Sequence, residues 1–236
     1  IFNYKMDVAE SVKIILLGEY GVGKTSLISC FLNKKLDPLS SEFDKSLSID
    51  KFGGKHIKFN IYDTACQEKF RAIPNSFYKD AKAAILVYDI TDKESFVKIK
   101  NFWYQQIKKF APKNIILGIA ANKCDLYDNE QVSRGEARKF ADDIEAVFKL
   151  TTNESKIGIE ELFKEIGCKV LEHKLKKNND ILKENKIENE QLKKEINDLE
   201  IYKMENQFLK TKIQKTKEHK TENEQLKKEI NDLRIC

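Results

Sequence analysis

Gly18-Glu19-Tyr20-Gly21-Val22-Gly23-Lys24-Thr25 is the stretch on which the reading of this sequence turns. An apolar run at residues 12–17 precedes it and a helical pattern at 25–32 follows, so it sits where a buried strand gives way to a helix. Its spacing is G-x-x-x-x-G-K-[ST]. The glycines let the backbone wrap with its N–H groups turned inward, and the helix N-terminus adds positive potential; together these suit phosphate oxygens. Lys24 supplies a cation for the β- and γ-phosphates, and the Thr25 hydroxyl suits Mg²⁺. Gly18, Gly21, Val22, Gly23, Lys24, Thr25 and Ser26 are the expected contacts of this loop.

Two further elements stand in the same relation to apolar runs. Asp63-Thr64-Ala65-Cys66-Gln67-Glu68 follows an alternating stretch at 58–62. Asp63 is placed to hold Mg²⁺ at a strand end, and Gln67 to orient a water for in-line attack on the γ-phosphate. Asn122-Lys123-Cys124-Asp125 follows the continuous apolar run 115–121. The Asp125 carboxylate can accept from both N1–H and the 2-amino group of guanine; adenine offers neither and would leave the carboxylate unpaired. Lys123 would lay its stem along the nucleotide. Strand patterns at 12–17, 58–62, 83–88 and 115–121 interleave with helical ones at 25–32, 94–110, 135–145 and 159–171. That alternation predicts a doubly wound α/β domain with a mostly parallel sheet.

With these residues in place, the chain resembles the Rab family of small GTPases in the Ras superfamily over about residues 12–171. Leu86-Val87-Tyr88-Asp89-Ile90-Thr91 is a Rab-type segment. Lys58-Phe59-Asn60-Ile61-Tyr62, Lys69-Phe70-Arg71-Ala72-Ile73 and Phe77-Tyr78-Lys79-Asp80-Ala81 resemble further Rab signatures, as do Ser95-Phe96 and Trp103. The resemblance implies a GTP/GDP switch with Mg²⁺ that hydrolyses GTP and recruits effectors in vesicle traffic under the control of exchange factors and activators. It implies Gln67 as the catalytic residue and adds Cys66, Thr152 and Asn153 to the nucleotide contacts. The stretch Lys156-Ile157-Gly158-Ile159-Glu160-Glu161-Leu162-Phe163 is most similar to endosomal Rabs, which suggests the cytosolic face of endosomal or other vesicle membranes.

The departures from that pattern are specific. Tyr20 stands beside the γ-phosphate position where a small residue is usual, and Cys66 replaces a glycine whose amide senses that phosphate. From Lys24 to Phe43 there are 19 positions, about five fewer than the resemblance implies, and the switch threonine has no counterpart unless Ser40 or Ser41 substitutes. The last base-recognition motif, usually Ser-Ala-Lys, is Thr152-Asn153-Glu154. These changes bear on hydrolysis more than on binding. Slow hydrolysis is expected; the alternative is a coiled-coil scaffold whose degenerate GTPase domain binds nucleotide without turnover.

Composition changes near residue 173. No glycine follows Gly167 and no proline follows Pro112; from His173 to Cys236 there are 16 basic and 13 acidic residues. So charged a segment builds no core of its own, but it suits a long helix that buries one stripe on a partner. The 12-residue segment Glu188-Asn189-Glu190-Gln191-Leu192-Lys193-Lys194-Glu195-Ile196-Asn197-Asp198-Leu199 recurs unchanged 34 positions later, at 222–233. Leu192, Ile196 and Leu199 step by four then three, a heptad seam that continues through Tyr202, Asn206, Leu209, Ile213 and Thr216 to Leu226, with two stammers. The expectation is a coiled-coil tail that self-associates; a solvated single helix is the alternative. The chain is thus divided into an N-terminal extension (1–11), a Rab-like GTPase domain (12–172) and a helical tail (173–236).

The rest of the composition is mostly exclusions. No apolar run approaches the ~18 residues of a membrane span, so membrane association, where it occurs, is not expected through a transmembrane segment. No secretory leader is expected, and a cytoplasmic location is. A net charge of +5 from 43 basic and 38 acidic residues is too balanced to argue for nucleic acid. The five cysteines lack zinc-ligand spacing and are read as reduced thiols. The terminal Cys236 is not a C-a-a-X box.

Overall fold

A computed structural model of the chain describes residues 10–35, 42–49, 55–64 and 74–233. In chain order the elements are β1 (Glu10–Leu17), α1 (Lys24–Leu32), β2 (Glu42–Ile49), β3 (Lys55–Asp63), α2 (Asn75–Tyr78), β4 (Ala83–Asp89), α3 (Lys93–Lys98), a π-helical turn (Ile99–Trp103), α4 (Tyr104–Phe110), β5 (Ile116–Asn122), a 3₁₀ segment (Cys124–Asn129), α5 (Arg134–Asp143), β6 (Val147–Leu150) and α6 (Ile159–Leu233). The chain forms two compact units, Ile1–Leu175 and Lys176–Cys236.

In the first unit the sheet order is β2-β3-β1-β4-β5-β6. Only the edge pair β2/β3 is antiparallel; the pairings of β1 with β3 and β4, of β4 with β5 and of β5 with β6 are parallel. Parallel strands buried on both faces need apolar side chains at odd and even positions alike. β1 meets this condition: Val12, Ile14 and Leu16 face one core, Ile15 and Leu17 the other. On the first face α1 and the start of α6 close over the sheet, with the rings of Phe31 and Phe163 stacked at 3.7 Å between centroids. On the second, Phe96, Trp103, Ile107, Ala137 and Ala141 bring in the helices from α3 to α5. The order of the parallel strands reverses at β1, so the crevice beyond its C-terminal end is the topological switch point where such sheets bind ligands. Gly18 stands at that point.

β2 and β6 were not among the expected strands. β6 has only four residues, too short for a clear period. β2 carries Lys45 among its inward positions, which breaks the apolar alternation. The structure accommodates it by setting the ammonium over the Phe31 ring, 4.1 Å from its centroid, and donating to the Phe31 carbonyl at the end of α1. Burial lowers the Lys45 pKa, against an opposing pull from Glu160.

The second unit is helical throughout its described residues. About 1.5 Å of rise per residue makes residues 176–233 roughly 87 Å of helix. Leu192, Ile196, Leu199, Tyr202, Leu209, Ile213 and Leu226 are all exposed. Thr211, Thr216 and Thr221 each donate to the carbonyl four residues earlier, and Gln214 bonds Glu218. No described helix is long and apolar enough to cross a membrane.

Candidate nucleotide-binding site

The loop after β1 is closely fitted around two of its glycines. A Cβ on Gly18 would lie 2.2 Å from the Val87 carbonyl oxygen in β4. Gly23, at φ +97°, would place one 2.4 Å from the Asn122 side-chain nitrogen. Asn122 ends β5, is fully buried, and donates to the Val22 carbonyl at 2.8 Å while accepting from the Thr151 hydroxyl at 3.1 Å. The phosphate-loop residues and the base-recognition residues, 100 positions apart in sequence, therefore meet through Gly23, Val22 and Asn122.

Lys24 is buried, and its ammonium donates to the carbonyls of Gly18 (3.0 Å) and Glu19 (2.8 Å), holding the loop closed around it. Val22 is buried and Ser26 exposed on the first turn of α1. The exposed Thr25 hydroxyl donates to Asp63 at 2.5 Å. The two expected Mg²⁺ donors thus come together from α1 and the end of β3. Both are hard oxygens, and no group of three or more His, Cys, Asp or Glu with metal-binding geometry occurs among the described residues. Two protein oxygens with the remaining positions left to water and phosphate is a donor set that fits Mg²⁺. Gln67 and Cys66 lie outside the described residues, as do Ser40 and Ser41. Tyr20 is 65% exposed at the tip of the loop.

On the base side, the Thr152 hydroxyl donates to Asp125, and the backbone N–H of Cys124 to Thr151 (3.1 Å), joining the two base-recognition loops. Asn153 follows, its carbonyl accepting from the Cys30 thiol of α1 at 3.3 Å. Its buried side-chain oxygen has no partner among the described residues. Lys123 takes a left-handed conformation, φ 61°, and its ammonium lies 2.6 Å from Asp89.

Asp89 was not singled out as a site residue. It is buried, and burial pushes its pKa up; the Lys123 ammonium and the two bonds from Thr91 outweigh this and leave it below the usual carboxylate value. The signal was present: Asp89 closes the apolar run 83–88 as Asp63 and Asn122 close theirs. Asp63, Asp89 and Asn122 end β3, β4 and β5, which with β1 form the parallel part of the sheet at the crevice. Thr151 and Glu19 were likewise missed; no motif marks either.

Residues 13–172 match the Ras family. Human Ras-related protein Rab-22A is 40% identical over 162 residues, covering 67% of this chain and 83% of that protein. Human Ras-related protein Rab-21 is 41% identical over 170 residues, 70% of this chain and 74% of that one. Ras-family proteins of this kind bind GTP and GDP with Mg²⁺; in this chain the loop, the paired Thr25 and Asp63, and the buried Asn122 gather at the C-terminal ends of the parallel strands. The chain belongs to the Ras family and is a Rab-type small GTPase, hydrolysing GTP to GDP and phosphate.

Proposed function

We propose that this GTPase is a slow Rab-type switch of vesicle traffic, acting at the cytosolic face of endosomal or other vesicle membranes through effector, exchange-factor and activator proteins. In this reading Lys24 and the amides of Gly21, Val22 and Gly23 grip the terminal phosphates. Thr25 and Asp63 hold Mg²⁺, which when bound neutralises phosphate charge. Asn122, Lys123 and Asp125 recognise guanine, with Thr152 and Asn153 closing the base site, and Gln67 orients the attacking water. The observation that carries the slow rate is Tyr20. A large exposed side chain at the loop tip crowds the place where a water and an activator's arginine must approach the γ-phosphate, an arginine worth ~10³–10⁵ in rate in this superfamily. Nucleotide extracted from purified protein should be GDP or GTP, and single-turnover hydrolysis should be measurable but slow. Complete absence of turnover with nucleotide bound would favour the scaffold reading instead.

The tail supports a second element of this reading, self-association. An apolar seam left exposed along one helix is stabilised by a second copy, and the acidic and basic residues beside it provide pairing of both signs. A parallel dimer is the simplest form, held weakly enough to dissociate on dilution. Sedimentation of the full chain should show a concentration-dependent monomer–dimer equilibrium that Leu192→Asp with Leu209→Asp abolishes; a monomer at all concentrations would refute it.

A further inference from the structure

The phosphate loop contains a carboxylate that the nucleotide reading does not use. Glu19 lies between Gly18 and Tyr20, in the loop that closes around the buried Lys24. An acidic side chain there opposes an anionic ligand unless its position is fixed. It is fixed: the Trp103 indole Nε1–H donates to Glu19 Oε1 at 2.9 Å. The backbone carbonyl of the same residue accepts from Lys24 at 2.8 Å. Glu19 is thus pinned on one side by the lysine inside the loop and on the other by an indole that belongs to the sheet's helical cover.

The indole is itself held. Trp103 is 1% exposed and meets Phe102 edge to face, with centroids 4.8 Å apart. It has a single donor and no acceptor, and that donor is committed to Glu19. Trp103 is also the last residue of the π-helical turn Ile99–Trp103, inserted between α3 and α4. A one-residue insertion in a helix turns every later side chain by about 100° around the axis, and such insertions concentrate at functional sites. Trp103 closes this insertion.

We infer that Glu19 is a positioning residue of the nucleotide site, and that the Trp103–Glu19 hydrogen bond braces the phosphate loop on the π-helical turn. The inference rests on the reading that this loop grips the terminal phosphates. Releasing the carboxylate frees the loop's second residue, loosens the carbonyl that Lys24 grips, and lets a negative charge move toward the ligand. All three effects weaken the hold on the β-phosphate and leave the base and ribose contacts in place.

Competition binding of GDP and GMP to the full-length protein tests this. GMP keeps the base, ribose and first phosphate, so a brace on the terminal-phosphate grip acts on GDP alone. Trp103→Phe, which keeps an aromatic ring but removes the donor, should weaken GDP by at least about tenfold, the range for losing a hydrogen bond to a charged group, and leave GMP within about twofold. Glu19→Leu reads the same contact with the indole intact; because it also removes the opposing charge, it should weaken GDP selectively over GMP but by less than Trp103→Phe. Glu19→Gln keeps an acceptor and should recover most of what Glu19→Leu loses. The double variant should be no worse than the poorer single one. Unchanged GDP affinity in both single variants, or equal weakening of GDP and GMP, overturns the brace. A wild type that holds GDP no more tightly than GMP defeats the phosphate-loop reading itself, and the brace with it.

Discussion

Substituting Gly23 by alanine should damage nucleotide binding more than folding, whereas Gly18→Ala should do the reverse. The added methyl group at Gly23 would sit 2.4 Å from the Asn122 side-chain nitrogen, about 1 Å inside ordinary contact. Its backbone, at φ +97°, lies in the left-handed region, which costs an L-residue ~1–2 kcal/mol. Displacing the Asn122 amide also breaks its 2.8 Å bond to the Val22 carbonyl, worth ~0.5–1.5 kcal/mol. A ligand-free loop can relax away from both conflicts, so most of the penalty appears on binding: about 2–3 kcal/mol, on the order of 30- to 150-fold in GDP affinity. Gly18 differs because its added atom would meet a backbone carbonyl, that of Val87, at 2.2 Å. A central strand cannot yield as a loop does, so Gly18→Ala should lower the unfolding midpoint of the ligand-free protein. Gly21→Ala is the control: at φ +84° it meets nothing within 4 Å and carries only the conformational cost. Calorimetric GDP titration alongside denaturant unfolding separates the two effects. Gly23→Ala protein binding GDP within threefold of wild type would refute the argument that Gly23 and Asn122 lock the two halves of the site together.

Asp89→Asn should destabilise the protein at neutral pH, and the gap from wild type should close in acid. The Asp89 pKa is depressed in the folded state, so its contribution is present above the unfolded value of about 3.9 and is lost as pH falls through the folded value; thermal midpoints from pH 7 to 2 check this, and a constant gap would refute it. Tyr20→Gly combined with Cys66→Gly should raise single-turnover GTP hydrolysis at least about tenfold if crowding limits the rate; no change would point to the short segment between Lys24 and Phe43 instead. Lys24→Ala should abolish GDP retention through gel filtration while leaving far-UV circular dichroism intact; retained nucleotide would remove Lys24 from the phosphate grip.

The sheet was legible wherever burial on both faces produced a mostly apolar run, as in β4, β5 and, despite Lys13, β1. It was illegible where chemistry interrupted the pattern: Lys45 sits inside β2 because a ring and a helix-end carbonyl receive it, a tertiary compensation that no local window contains. The candidate site was legible where one residue type at one spacing is required, as with Lys24, Thr25 and Asn122, which the fold brings to one crevice. It was less so where a side chain works through a partner distant in sequence. Asp89 is defined by Lys123, and Glu19 by Trp103, 84 positions away. Trp103 also depends on a π-helical insertion, which hydrophobic periodicity cannot distinguish from one continuous helix over 94–110. In the tail the repeat and its heptad spacing are evident in the sequence, and the helix follows from them.

In the proposed function Asp125, bonded by the Thr152 hydroxyl, reads guanine at the edge of the nucleotide site. Titration of GDP, ADP and xanthosine diphosphate into wild-type and Asp125→Asn protein tests it most directly. The wild type should bind GDP and exclude ADP by at least about a thousandfold, because adenine leaves a carboxylate unpaired. Asp125→Asn should lose GDP and gain xanthosine diphosphate, whose 2-oxo group accepts where guanine's amino group donates. Equal binding of ADP and GDP by the wild type, or an Asp125→Asn protein with unchanged preference, would contradict it.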